Sequence, residues 1–308
     1  MPILRQDADA LIPVDVSREI IKSMPEQSSA LQLMRRLPNM TAKQRRIPVL
    51  SQLVTAGFVN GDMGLKQTTQ AAWKNKYIEA EEIATIVVIP EAVLDDASYD
   101  IWGEIRPLIV EAFGAVIDGA MLFNIDRPAT WPQGLFQQLS AAGHTVELGT
   151  GTDIASDISS MMALVESDGF EVTGFASDVA LRANLRDLRD AANGLLYQPS
   201  LLTGTPNTLY GQPIHHVRNG TWDSSKVRVI GGDWSQTMYS IRQDITYKLL
   251  DQAVISDGDG NIVHNLAQQD SVALRCVMRL GWQIANPINR MNQDENTRFP
   301  FAALVPAP

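Results

Sequence analysis

A chain of 308 residues is long enough for two modest domains, each burying its own core. Hydrophobic residues make up 45% and charged ones 19%, which excludes wholesale disorder and fibrous repeats. Twenty-five basic residues against 35 acidic ones give a net charge of -10, which excludes a dedicated nucleic-acid binder, because most of the surface repels phosphate.

A single cysteine, Cys276, rules out an internal disulfide, and four histidines leave little for a Cys/His zinc site. No window reaches the roughly 18 apolar residues of a membrane span, and the amino terminus lacks the pattern of a secretory signal. About the first 18 residues, with Pro2, Arg5 and Pro13 among scattered charges, show no strong periodic apolar pattern. They read as an arm that becomes ordered only by docking on a neighbouring subunit, with Arg5 a candidate contact.

Ser29 to Leu37 reads as helical or partly extended, and Arg45 to Leu50 as a short strand that Pro48 places near a sheet edge. Residues 51–80 are polar and punctuated by glycine, with a turn signal at Asn60-Gly61 and with Trp73, Asn75 and Tyr77 at period two. This predicts a long hairpin with too few apolar residues to own a core, so its partner is expected on another chain. Candidate contacts along it are Asn60, Gly61, Lys66, Trp73, Lys74 and Tyr77.

Ile83 to Ile89, β-branched and ended by Pro90, predicts a fully buried strand. After an acidic turn at Asp95-Asp96, the residues Ile101, Ile105, Leu108, Ala112, Val116, Ala120 and Phe123 recur at three- and four-residue steps. They predict one amphipathic helix over 99–123, about 37 Å long, with Pro107 able to kink it. Residues 127–152 read as loop, Asp153–Ser167 as a helix capped by Thr152 or Asp153, Glu171–Ala176 as a strand and Asp178–Ala192 as a helix.

Leu209–Val217 and Val227–Ile230 predict strands, and Gly231–Trp234 a turn. In the carboxyl third, Tyr239, Ile241, Ile245, Tyr247 and Leu249 share one parity, and Asp257–Asn261 predicts a hairpin tip. Val272, Leu274, Cys276, Met278, Leu280, Trp282 and Ile284 alternate with Arg275, Arg279 and Gln283. One face of that strand is core and the other is wet or at an interface, which makes Arg275 and Arg279 candidate contacts.

Motifs that carry chemistry are incomplete. Gly149-Thr-Gly-Thr-Asp-Ile154 has Ile154 where a dinucleotide loop needs its third glycine. Asp257-Gly-Asp-Gly-Asn261 lacks both the obligatory glycine and the closing glutamate of a calcium loop, so a plain turn is favoured. His215-His216 sit on a strand and point to opposite faces, one expected buried and one exposed. Cys276 reads as a packed thiol, and the pairs Arg35-Arg36 and Arg45-Arg46 as solvated surface. No cofactor and no metal site is expected, and no enzyme. A hydrolase using Asp95, Asp96 and Asp100 is the reading from another class, but those carboxylates are better explained as a helix amino-terminal cluster.

The segment Ala80-Glu-Glu-Ile-Ala-Thr-Ile-Val-Val-Ile-Pro-Glu-Ala-Val-Leu-Asp-Asp-Ala-Ser-Tyr-Asp-Ile101 with its following helix resembles major capsid proteins of tailed bacteriophages with the Hong Kong 97 fold. Leu209-Tyr-Gly-Gln-Pro-Ile214, Gly232-Asp-Trp234 and the last strand into Asn286-Pro287 are further matching pieces, and the likeness runs over nearly the whole chain. It implies an α+β fold: an arm at 1–28; an extended loop at 51–80; a peripheral domain at 29–50, 81–151 and 233–288, with a spine helix at 99–123; and an axial domain at 152–232 and 289–308.

The resemblance further implies hexamers and pentamers that form an icosahedral shell, which expands on maturation. The implied partners are the chain itself, a scaffolding protein, a portal, decoration proteins and double-stranded DNA held by non-specific proximity. Assembly is expected in the bacterial host cytoplasm, for a final place in the virion. An encapsulin-type shell is the nearest alternative, less favoured because the irregular, proline-bearing arm is unlike an encapsulin's amphipathic helix. Some relatives join a loop lysine to a strand asparagine beside a glutamate. Lys66 suits the first part, but Asp270 and Val277 stand at the other two positions, so no isopeptide bond is expected. Because the arm begins close to Met1, a separate scaffold protein is expected.

Overall fold

The computed structural model describes residues 28–58, 66, 68–96, 100–186 and 208–307. In chain order these form α1 (Ser29–Leu33), β1 (Arg35–Arg36), β2 (Gln44–Gln52), β3 (Ala72–Glu79), β4 (Glu81–Pro90), α2 (Glu91–Asp96), α3 (Ile101–Phe123), α4 (Leu135–Ala141), β5 (Thr145–Glu147) and α5 (Ile154–Ser167). There follow β6 (Gly174–Asp178), α6 (Leu181–Arg186), β7 (Thr208–Leu209), β8 (Gln212–Val217), β9 (Val229–Gly232), β10 (Thr237–Leu250), β11 (Val254–Ser256), β12 (Ile262–Asn265), β13 (Ser271–Ile284) and β14 (Phe301–Val305).

A four-stranded sheet has the order β1-β10-β13-β4, and a six-stranded one the order β5-β14-β9-β6-β8-β7. On β13 the even-numbered apolar residues from Leu274 to Ile284 share a core with Ile109, Phe113 and Ile117 of α3, while Arg275, Arg279 and Gln283 take the other face. The alternation in the sequence therefore maps directly onto the two faces of the sheet.

Alternation sorts residues in the six-stranded sheet as well, but here both faces are covered. Phe175, Val229, Ala302 and Leu304 join a second core with α5 and α6, whereas their neighbours Ala176, Ile230, Phe301 and Ala303 join the first. One sheet thus separates two cores, which is why its strands read as unbroken apolar runs.

Several expectations are corrected. The helix α3 is 23 residues long with Pro107 inside it, but Leu108, Ala112 and Val116 face solvent and the row Ile109, Phe113, Ile117 is buried. The segment is apolar nearly all round, so spacing alone does not choose a face; the bulkier row takes the sheet. Strand β4 is not buried on both sides. It is the edge of its sheet, with Ile83 and Val87 turned to the core and Glu82, Ala84 and Ile86 exposed, as an antiparallel strand with one covered face must be.

Residues 127–152 contain α4 and β5, which are too short for periodicity to reveal. Of these, β5 directly precedes the Gly149 loop. The predicted strand over 209–217 is a tight hairpin instead, reversed at Tyr210 (φ 50°) and Gly211 (φ 80°), two left-handed residues that match the twist of the flanking strands. The helix expected over 178–192 starts at Leu181, and its part beyond Arg186 lies outside the described residues. Asp95 and Asp96 end α2 rather than begin a helix, and only Asp100 stands at the amino terminus of α3.

Candidate assembly surfaces

Strands β2 and β3 form a two-stranded ribbon of their own, and Pro48, which has no N–H to give, sits in it opposite Asn75. The ribbon starts earlier than the sequence suggested, at Gln44. Its two faces differ sharply. Ile78 is fully buried and packs where Gly281 of β13 leaves room: a Cβ on Gly281 would stand 2.1 Å from the Glu79 carbonyl oxygen and 2.8 Å from Ile78. Lys76, on the same face, donates to the Ile284 carbonyl at 3.0 Å, and burial pushes its ammonium below the usual lysine range.

The opposite face of the ribbon carries the cross-strand pairs Leu50–Trp73, Pro48–Asn75 and Arg46–Tyr77. Trp73 is 65% exposed, Tyr77 is exposed, and Phe58 beyond the end of β2 is fully exposed. The ribbon therefore rests on β13 by its Ile78–Lys76 face, while its Trp73–Tyr77 face is turned to solvent.

The other expected contact residues are distributed as follows. Lys74 binds Glu295 of its own chain, 3.0 Å from each carboxylate oxygen, and this bond lowers the Glu295 carboxyl below its ordinary range. Lys66 is exposed. Arg279 binds Glu82 across the sheet, Nε to Oε2 at 2.7 Å, and Arg275 is exposed. Arg5, Asn60 and Gly61 lie outside the described residues. The structure brings Trp73 and Tyr77 together on one face, and Arg275 and Arg279 on another.

One organising residue escaped sequence reading. Asp118, fully buried in α3, accepts from Ser28 Oγ (2.6 Å), Ser29 N (2.8 Å), Ala30 N (3.0 Å) and Asn219 Nδ2 (2.6 Å). It satisfies free N–H groups at the start of α1 and holds Ser28, Ser29 and Ala30 against α3. Burial pushes its carboxyl above the ordinary range, and the four donors pull the other way. The signal was a lone carboxylate in the apolar run Ala115-Val-Ile-Asp-Gly-Ala-Met-Leu-Phe123.

The motifs set aside earlier have local occupations. The Gly149 loop wraps a carboxylate of its own chain: Asp157 accepts from Gly149 N (2.7 Å), Gly151 N (2.6 Å) and Thr150 Oγ1 (3.1 Å). Asp257 accepts the N–H groups of Asp259 (3.0 Å) and Asn261 (2.8 Å) within its turn. His216 is buried against Ser177 Oγ (2.8 Å), while His215, half-buried rather than exposed, meets Ser29 Oγ (3.1 Å) on the other face. Among the described residues no cluster of three or more His, Cys, Asp or Glu side chains stands ready for a metal ion. None of the described helices is long and apolar enough to cross a membrane.

Known proteins resolve what these surfaces belong to. The chain is 25% identical over 308 residues to the major capsid protein of Staphylococcus phage 80alpha, covering 99% of this chain and 88% of that protein. A solved structure from Microbacterium phage Oxtober96 superposes with a TM-score of 0.86 at 38% identity, covering 100% of both chains. One from Mycobacterium phage Adephagia gives 0.87 at 28% identity, over 100% of this chain and 99% of the other. The α+β arrangement is that of the Hong Kong 97-like capsid fold. The model of the phage capsid family matches residues 8–289, and the chain belongs to that family.

Proposed function

We propose that this major capsid protein acts as a structural tile, without enzymatic activity, that assembles as hexamers and pentamers into an icosahedral head enclosing double-stranded DNA. Residues 1–28 serve as the arm and 51–80 as the extended loop. Residues 29–50, 81–151 and 233–288 make the peripheral domain, and 152–232 with 289–308 the axial domain. Assembly takes place in the bacterial host cytoplasm with a scaffolding protein and a portal, decoration proteins bind the outside, and the product is the virion shell.

The carrying observation is the β2–β3 ribbon, whose aromatic face the described residues leave largely exposed at Trp73 and Tyr77. Such a face is stable only when a neighbouring copy supplies the missing burial. Asp95, Asp96 and Asp100 are exposed, the first two at the end of α2 and the third ahead of α3, and nothing among the described residues favours a hydrolase built on them. Phage relatives favour a genome-enclosing shell over an enzyme-storing one.

Electron microscopy of particles from cells expressing the chain with its partner head proteins tests this reading. Closed angular shells are expected, with capsomers of six and five. Monodisperse monomers that persist with scaffold present would count against it.

A further inference from the structure

The four-stranded sheet buries one face against α3; its other face is covered by the β2–β3 ribbon at Gly281 and lies open beyond it, around Arg275. Across the open part runs a trough of about 250 Å³, lined by Ala84, Ile86 and Val277, by Lys248 and Arg275, and by the Arg279–Glu82 pair, so that two cations in it are left over. Lys248 and Arg275 stand directly opposite each other on β10 and β13. Like charges in that relation destabilise a sheet unless an anion lies between them. Among the described residues neither meets a carboxylate, although Arg279, one step along the same face, has Glu82.

A second observation supplies the complement. From Leu249 to Leu274 the chain carries Asp251, Asp257, Asp259 and Asp270 and no lysine or arginine. This stretch includes the two-stranded β11–β12 hairpin. Asp257 is spent on its own turn, which leaves Asp259 exposed at the tip, and Val254 and Ile262 are both more than half exposed beside it. The lobe is therefore polarised, with an acidic, apolar tip and a basic, apolar trough.

We propose that the trough receives the β11–β12 tip of a second copy of this chain, with Asp259 placed between Lys248 and Arg275. Charge selects this occupant. The β2–β3 hairpin, residues 44–79, carries Arg45, Arg46, Lys66, Lys74 and Lys76 against Asp62 and Glu79, so it is basic like the trough. Tip and trough are different parts of one subunit, so the contact runs head to tail and repeats from copy to copy until it closes. The inference rests on the shell reading above.

Charge exchange tests it, in the full chain expressed with its partner head proteins and with wild type run in parallel. Asp259→Lys, at an exposed position, and the joint exchange of both trough cations, Lys248→Glu with Arg275→Glu, which replaces one like-charge pair by another, are each expected to leave the melting temperature of the subunit unchanged. Each is expected to lower the yield of closed shells in a sedimentation gradient by about tenfold or more. Combining the two exchanges as a double variant restores the pairing in reverse and is expected to return the yield to within about twofold of wild type. Single exchanges that assemble like wild type overturn the pairing. So do impaired single exchanges that the double variant fails to rescue, a result that assigns the trough to another occupant, such as a neighbour's basic hairpin or an external protein. If wild type itself forms no shells, the shell reading falls and this inference with it.

Discussion

Asp157 and Asp118 are both buried carboxylates, and they respond to acid in opposite senses. Burial would raise the Asp157 carboxyl, but the N–H groups of Gly149 and Gly151 and the Thr150 hydroxyl outweigh it and hold the group below its ordinary value. A depressed carboxylate contributes stability above its unfolded value, near pH 4, and loses it as pH falls through the folded one. Asp118 is raised, so its protonation contribution is present at low pH and is lost as pH rises through its folded value. Asp157→Asn should cost about 2 kcal/mol at neutral pH, because a donor replaces an acceptor facing N–H groups. It should also flatten the fall in melting temperature below about pH 4. A variant that melts with the wild-type acid profile would remove Asp157 from this account.

At the scale of elements, strands whose two faces differ were legible and strands whose faces do not were misread. The alternation on β13 named its core residues individually, whereas β4 looked buried on both sides because its exposed positions are Ala84 and Ile86 as well as Glu82. The period of α3 was plain but its orientation was not, since Leu108 and Val116 satisfy the same spacing as Ile109 and Ile117. Tyr210-Gly211 reversed a strand through left-handed backbone at a tyrosine, a residue that does not advertise it. The ribbon was visible through what it lacked: apolar residues are too few, among polar ones and glycines, over a length that a compact domain does not leave as structureless loop.

That ribbon carries its own prediction. Covering Trp73 removes about two-thirds of a large aromatic surface from water, worth about 3 kcal/mol per contact. Trp73→Ser should change the stability of the isolated subunit by less than about 1 kcal/mol, since most of the ring is exposed there. Subunit affinity should fall by about a hundredfold. Chemical melts of the subunit, with light scattering during assembly, separate the two effects. Equal losses in both would mean that Trp73 is part of the subunit's own core.

For the whole molecule, the strand pairings set a timetable. Arg35 pairs with Met238, Pro90 with Ser271 and Thr145 with Ala303, so each sheet is sewn together across about 150 to 200 residues. Closing such loops loses chain entropy before any ladder forms, and folding should take about seconds rather than milliseconds. Stopped-flow refolding from denaturant should show this, and full recovery of near-ultraviolet ellipticity within a few milliseconds would contradict it. The slowness has a bearing on production. While the sheets are open, every new chain presents unpaired strand edges to others like it, and aggregation rises more steeply with concentration than folding does. A cell making this capsid protein in bulk is therefore expected to lose less of it to aggregation when its nascent pool is kept dilute or chaperoned.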